Sequence, residues 1–70
     1  MECRLKEIIK ERGLKQGYIA EKAGISNTTM SALVTGRNLP TLPVAARIAK
    51  VLDLHIDEIW ILDEETQKSP

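Results

Sequence analysis

Several features that would define a class of protein are scarce or absent in this chain. The only cysteine is Cys3, which excludes an intrachain disulfide framework and fits a reducing cytoplasm. No stretch is long and apolar enough for a membrane span, and no signal-peptide pattern opens the chain. Repeats and low-complexity segments are missing. Because 70 residues lie near the lower limit for one apolar core, we expect a single small cytoplasmic domain.

Residue patterns for catalysis or metal binding are also missing. His55 and Cys3 are far apart in the sequence and lack the neighbouring ligands of a zinc site. We expect His55 to lie at the start of a helix. The run Asp63-Glu64-Glu65 invites comparison with a cation site, but an acidic tail is the expected meaning. There is no nucleophile triad, acid–base pair or glycine-rich phosphate loop. We predict no enzyme activity, no metal and no cofactor.

The net charge of zero hides a strong asymmetry along the chain. Residues 1–50 hold nine Lys and Arg against four Glu, whereas residues 51–70 hold six acids against Lys68. A basic surface is the usual electrostatic footprint of a nucleic-acid-binding protein. The basic half is therefore the half in which to look for such a site, with the acidic end facing away from it.

Residues 16–40 predict two short helices joined by a tight turn. In the first helix, about 15–23, Ile19, Ala20 and Ala23 share one face. Gly24 allows a sharp turn and Ile25 fills the corner. Ser26 can cap the second helix, about 27–35, which Gly36 closes. Its inward positions are Met30, Leu33 and Val34, and its outward positions are Asn27, Thr28, Ser31, Ala32 and Thr35.

Three further helices complete the prediction. The N-terminal helix of the chain runs from about Glu2 to Arg12, ends at Gly13 and turns Leu5, Ile8 and Ile9 inward. The fourth is capped by Thr41, accommodates Pro43 in its first turn and turns Val44, Ile48, Val51 and Leu52 inward. The fifth spans about Ile56 to Trp60. We therefore expect an all-α, compact five-helix domain over residues 1–62, with room for one short C-terminal strand, and a flexible acidic tail over 63–70.

The chain contains a pattern of short segments in this order: Gln16 with Ile19-Ala20, Ala23-Gly24-Ile25-Ser26, Met30-Ser31 and Gly36-Arg37 with Pro40. Together with Ile48-Ala49-Lys50-Val51-Leu52 and Asp57-Glu58-Ile59-Trp60, this pattern resembles the Cro/lambda-repressor-like helix-turn-helix family, also called the xenobiotic-response-element family. The resemblance covers roughly four fifths of the chain, from about Leu5 to Trp60. It implies a DNA-binding domain whose second motif helix enters the major groove.

Three departures from the family pattern bear on stability. Lys15 stands where the family usually has a Ser or Thr cap. Gly17 lies inside a helix, at a cost of about 1 kcal/mol relative to Ala. Ile9 and Val34 replace an Arg–Glu pair found in some phage repressors, which suggests an apolar contact instead.

The resemblance assigns residues to the DNA contacts. Asn27, Thr28 and Ala32 occupy positions that reach base edges, where Asn27 can pair with adenine and Thr28 or Ala32 can touch a thymine methyl. Asn27 and Thr28 have an alternative role as local caps. The expected phosphate contacts are Gln16, Thr35, Arg37 and Asn38. For Gln16 and Arg37 the alternative is a merely solvated side chain.

Four consecutive apolar residues, Ile59, Trp60, Ile61 and Leu62, predict a dimer interface at the C-terminal end. One helical face can bury only some of them, and Ile61-Leu62 could pair with a second copy as an antiparallel strand. The alternative is that Trp60 simply closes the monomer core.

We therefore expect a repressor that binds a double-stranded DNA operator as a homodimer at an inverted repeat. Two alternatives remain: an antitoxin that autoregulates its operon, and a protein–protein adaptor with the same fold. Neither a membrane contact nor a separate small-molecule effector domain is expected.

Overall fold

The computed structural model describes residues 1–62 of the chain. They form the order β1 (Glu2–Cys3), α1 (Leu5–Arg12), α2 (Gln16–Ala23), α3 (Asn27–Val34), α4 (Leu42–Leu52), α5 (Ile56–Ile59) and β2 (Trp60–Ile61). The predicted all-α fold with five helices and a short C-terminal strand is confirmed. The predicted tail, including the acidic run from 63 to 65, lies outside the described residues.

The two ends of the described chain meet in a small antiparallel sheet. Glu2 pairs with Ile61 and Cys3 with Trp60, while the Arg4 amide donates to the Ile59 carbonyl at 2.8 Å. The prediction that helix 1 begins near Glu2 is therefore wrong, because these residues bond to β2 and the helix begins at Leu5. Trp60 likewise belongs to β2 and not to the fifth helix.

The core contains one apolar side chain or more from every helix. Its largest fully buried side chains are Leu5, Ile19, Met30, Ile48, Leu52 and Ile59. Ile9, Val34, Val44 and Val51 are partly buried against it, and no polar or charged residue of the described chain is buried. At roughly 25 cal/mol per Å² of apolar surface removed from water, this burial is the main stabilising term.

Capping side chains begin α4 and α5, and a glycine ends α1, where the sequence predicts these helix boundaries. Thr41 caps α4 by accepting from the Val44 amide at 3.4 Å, and Glu58 Oε1 accepts from the His55 amide at 2.9 Å at the start of α5. Gly13 ends α1 in the left-handed conformation, with φ 64°. None of the helices in residues 1–62 is long and apolar enough to cross a membrane.

Candidate nucleic-acid interface

The turn between α2 and α3 is only three residues long, Gly24 to Ser26. Gly24 has φ 72°, a conformation that a side chain would strain, and the Ile25 amide donates to the Ala20 carbonyl at 3.0 Å. Ser26 Oγ then accepts from the Thr29 amide at 3.1 Å and begins α3. These bonds fix the angle at which α3 leaves α2.

The N-terminal half of α3 presents short polar side chains to solvent. Asn27, Thr28 and Thr29 are exposed, while Met30 and Leu33 hold the opposite face in the core. α3 has no charged residue. An amide and hydroxyls without acids suit the base edges of the major groove, where Asn pairs with adenine and Thr contacts a thymine methyl.

The expected outward position of Ala32 is wrong. Only 7% of the residue is exposed, and its carbonyl accepts from the amides of Arg37 and Asn38 in the loop after α3. Ser31, also predicted to face outward, is half-buried. The accessible outer face of α3 is therefore narrower than the helical spacing predicts, and it is centred on Asn27 and Thr28.

Gln16 ties the start of α2 to the outer side of α3. Its Nε2 donates to Ser31 Oγ at 2.7 Å, which places the amide beside α3. Lys15 precedes it without a side-chain cap, as the sequence predicts. Gly17 also lies near α3, since a Cβ added there would make an ordinary contact with Asn27 Oδ1 at 3.5 Å. The start of α2 thus adjoins α3 at Asn27 and at Ser31.

The loop after α3 carries the other expected contact residues. The amides of Arg37 and Asn38 both donate to the Ala32 carbonyl, at 3.0 and 3.2 Å, and both side chains are exposed. Arg37 Nε also donates to Thr35 Oγ1 at 3.3 Å. Thr35 Oγ1 in turn donates to the Ser31 carbonyl at 2.9 Å. Thr35 and Arg37 therefore form one polar cluster at the end of α3.

Two lysines near these residues were missed by the sequence analysis. Lys6 and Lys10 line a groove with Gln16 and Thr35, next to the expected phosphate contacts. Ile9 and Val34, which replace the ion pair of some phage repressors, line the same groove. The i, i+4 spacing of the two lysines on the polar face of the first helix is the signal that could have identified them.

With this geometry in view, comparison with known proteins is decisive. The model of a helix-turn-helix family matches residues 5–59. The chain belongs to the helix-turn-helix family. This finding confirms the resemblance stated from the sequence, and the fold is the DNA-binding fold of transcriptional regulators.

Individual relatives of this helix-turn-helix protein agree. An uncharacterised HTH-type transcriptional regulator of Methanothermobacter thermautotrophicus is 44% identical to this chain. The match covers 97% of this chain and the whole of that protein. The N-terminal DNA-binding domain of SinR from Bacillus subtilis matches 76% of this chain and 78% of its own, with 28% identity and TM-score 0.67. A SinR–SinI complex matches 93% of this chain and 69% of its own, with 27% identity and TM-score 0.73.

Not all basic residues of this helix-turn-helix protein are free for DNA. Arg12 Nη1 donates to the Leu52 carbonyl at the end of α4, and Arg47 Nη1 donates to the Ala23 carbonyl at the end of α2. Guanidinium groups favour such sites, because the last carbonyls of a helix lack partners and carry partial negative charge. These two arginines therefore join pairs of helices.

The four residues predicted as a dimer interface divide into two groups. Ile59 is fully buried and Trp60 is 6% exposed, so both belong to the monomer core, as the alternative for Trp60 stated. Ile61 and Leu62 are exposed. In the described chain the strand partner of Ile61 is Glu2 of the same molecule.

Cys3 lies beside the end of α3 without forming a reactive site. Its thiol donates to the Leu33 carbonyl at 3.4 Å, and it is half-buried. Burial raises the pKa of the Cys3 thiol, which keeps it protonated at neutral pH. No cluster of metal-binding side chains occurs among residues 1–62.

Proposed function

We propose that this protein is a sequence-specific, double-stranded DNA-binding transcriptional repressor that acts as a homodimer on an inverted-repeat operator. The observation that carries the proposal is the exposed outer face of α3, with an amide and hydroxyls at its start and no charge along its length. In this proposal α3 lies in the major groove, and the bound dimer blocks polymerase sterically.

Asn27 and Thr28 read base edges in this proposal. Asn27 is exposed at the first position of α3, where its amide can donate to adenine N7 and accept from N6. Its neighbour Gly17 leaves the approach open. The burial of Ala32 reduces the support for its predicted thymine contact, so we leave it out of the proposed base-reading set.

We expect phosphate contacts along the border of this face. Gln16, at the start of α2 with its free amides, lines one groove with Thr35, and Arg37 and Asn38 follow Thr35 in the loop after α3. Lys6 and Lys10 add two cations to the same border. Such contacts fix the register of the helix in the groove and make binding depend on salt.

A homodimer follows from the small size of this surface. A single domain of this kind buries too little DNA for tight specific binding, so two copies should bind half-sites about one helical turn apart. A two-fold protein on two half-sites requires an inverted repeat.

Selection of bound sequences from a random duplex pool tests the proposal. The expected result is an inverted repeat whose half-sites share a base preference, bound with an affinity that falls as salt rises. The matched control is Thr28→Val, which keeps the methyl group that would contact thymine and removes only the hydroxyl, and should leave the preferred base unchanged. Recovery of unselected sequence, or no binding at low salt, contradicts the proposal.

A further inference from the structure

A groove between α2 and α4 is lined by none of the residues proposed to contact DNA. Its volume is ≈ 380 Å³, and its lining residues are Tyr18, Lys22, Arg47, Lys50 and Val51. The first two belong to α2 and the other three to α4. We call it the α2–α4 groove. Three of its five lining residues are cations and none is an acid, so it attracts anionic groups.

The cations of the α2–α4 groove have no acidic partner in the part of the chain that the structure describes. Within residues 1–62, neither Lys22, Arg47 nor Lys50 forms an ion pair, and all three are exposed. The Lys22 ammonium lies 5.7 Å from the centre of the Tyr18 ring, a cation–π contact that leaves N–H donors for an anion. Like charges around one groove repel one another, and a bound anion relieves that repulsion.

The backbone ends of the two helices do not need the two lysines as hydrogen-bond donors. Lys22 and Lys50 lie in the last turns of α2 and α4, where the helix dipole favours a cation. Three of the last four carbonyls of each helix already accept a hydrogen bond: Ala20, Glu21 and Ala23 in α2, and Ala49, Lys50 and Leu52 in α4. The two ammonium groups are therefore available to a ligand.

The apolar part of the groove distinguishes between classes of anionic ligand. Tyr18 is 48% exposed and Val51 is half-buried, so the groove offers apolar surface beside its charges. The face of the Tyr18 ring over which Lys22 lies is not open to a stacked base, which disfavours a single-stranded nucleic acid. An acidic peptide fits both features, because its carboxylates bind the cations while an aliphatic side chain covers Tyr18 and Val51.

We infer that the α2–α4 groove docks an acidic segment of a partner protein, in which carboxylates flank an aliphatic side chain. The carboxylates bind Lys22, Arg47 and Lys50, and the aliphatic side chain packs on Tyr18. Arg47 Nη1 donates to the Ala23 carbonyl, and the rest of its guanidinium remains for a carboxylate. This inference goes beyond the proposed function, since such a partner binds the protein while α3 stays free to contact DNA.

Titration with a synthetic acidic peptide at low salt tests the inference without DNA. The probe is acetyl-Glu-Glu-Leu-Glu-Glu-amide, and the control peptide has Gln in place of each Glu. Tyr18 is the only tyrosine and Trp60 the only tryptophan, so each ring gives its own NMR signals. The acidic peptide should shift the signals of Tyr18 and leave those of the buried Trp60 in place, whereas the control peptide should shift neither. Absence of binding, or binding that leaves Tyr18 unshifted, overturns the inference.

Two pairs of lysines provide matched variants for the same titration. Lys22→Gln/Lys50→Gln removes two charges from the α2–α4 groove, and Lys6→Gln/Lys10→Gln removes two from the groove beside Gln16. At the usual strength of exposed ion pairs, the first variant should bind the acidic peptide about tenfold more weakly than the wild-type protein. The second should lose less than about twofold, since only long-range attraction changes. Equal losses would mean that the peptide responds only to net charge, which contradicts a docking site.

Nucleic-acid probes separate this inference from a nucleic-acid site and from the proposed function. A single-stranded oligothymidylate that shifts Tyr18 more strongly than the acidic peptide would overturn the inference. With a selected duplex bound, the peptide should still shift Tyr18, because the proposed DNA contacts lie outside the groove. Loss of peptide binding at saturation with duplex would contradict this separation. If the peptide binds as described but no duplex does, the docking site is supported and the DNA-binding proposal fails.

Discussion

Gln16 and Ser31 join the two helices of the turn motif through a hydrogen bond of 2.7 Å from Gln16 Nε2 to Ser31 Oγ. Ser31 is half-buried, and its hydroxyl meets Gln16 at the border of the surface that we propose to face DNA. The bond fixes the position of the Gln16 amide, which we propose as a phosphate contact. It also links the start of α2 to the middle of α3.

The first prediction concerns this bond. Gln16→Ala and Ser31→Ala should each lower the free energy of unfolding by about 0.5–1.5 kcal/mol, the usual net value of a hydrogen bond. The double variant should lose less than the sum, because either change alone breaks the same bond. Urea unfolding measures all three. Lys15→Ala, one residue away and without a capping bond, is the control; strictly additive losses would show that the bond does not stabilise the fold.

Asn27 and Arg37 should separate in their effects on DNA binding. Asn27→Ala should cost roughly 1–3 kcal/mol on the selected site and relax the preference at one position of each half-site. Arg37→Ala should weaken binding to all duplexes and reduce the salt slope by about one unit, because one phosphate contact is lost. Titration of selected and scrambled duplexes at several salt concentrations measures both. Equal losses on both duplexes from both changes would refute the division of roles.

Gly17→Ala should stabilise the protein by up to about 1 kcal/mol, since Gly17 lies inside a helix with no positive φ. The added Cβ would lie 3.5 Å from Asn27 Oδ1, an ordinary contact. Thermal unfolding gives the measurement. Gly24→Ala is a control with the opposite expected result. Its φ of 72° strains any side chain, so this variant should be less stable than the wild-type protein. A destabilised Gly17→Ala variant would mean that the approach to Asn27 is tighter than the structure has it.

The Cys3 thiol should make stability depend on alkaline pH. Burial raises the pKa of Cys3 above its ordinary value of 9.0, so the folded state disfavours the thiolate. The stabilisation is fully present below that ordinary value and is lost as the pH rises through the folded pKa. Unfolding measured across this range should show a smaller decline for Cys3→Ser than for the wild-type protein. Identical declines for the two proteins would contradict the assignment.

The sequence identifies the helices well because their signals are local. Gly13 and Gly24 allow left-handed helix ends, Ser26 and Thr41 are capping residues, and the apolar spacing marks each buried face. The N-terminal strand was missed because its partner lies some sixty residues away. Glu2 and Cys3 have no strand pattern of their own, and only the bonds to Trp60 and Ile61 make them a strand.

Part of the candidate DNA-binding site is predictable because its signals, like those of the helices, are local in the sequence. Asn27 and Thr28 are exposed, as the helical spacing predicts. Ala32 was assigned outward by helical spacing alone, but it is buried, and its carbonyl bonds to the amides of Arg37 and Asn38. The groove that Lys6 and Lys10 line requires the relative placement of several helices, which spacing within one helix does not contain.

Hydroxyl-radical footprinting on a selected duplex tests directly whether two copies of the protein bind an inverted repeat. For a homodimer on an inverted repeat we expect two protected half-sites related by a two-fold axis, with centres about one helical turn apart. The same experiment with Leu62→Glu, at an exposed residue that the sequence predicts in the dimer interface, should need a higher protein concentration to protect both half-sites, because the two copies would then bind without cooperating. A single protected half-site at saturation, or uniform protection along the duplex, would contradict the account.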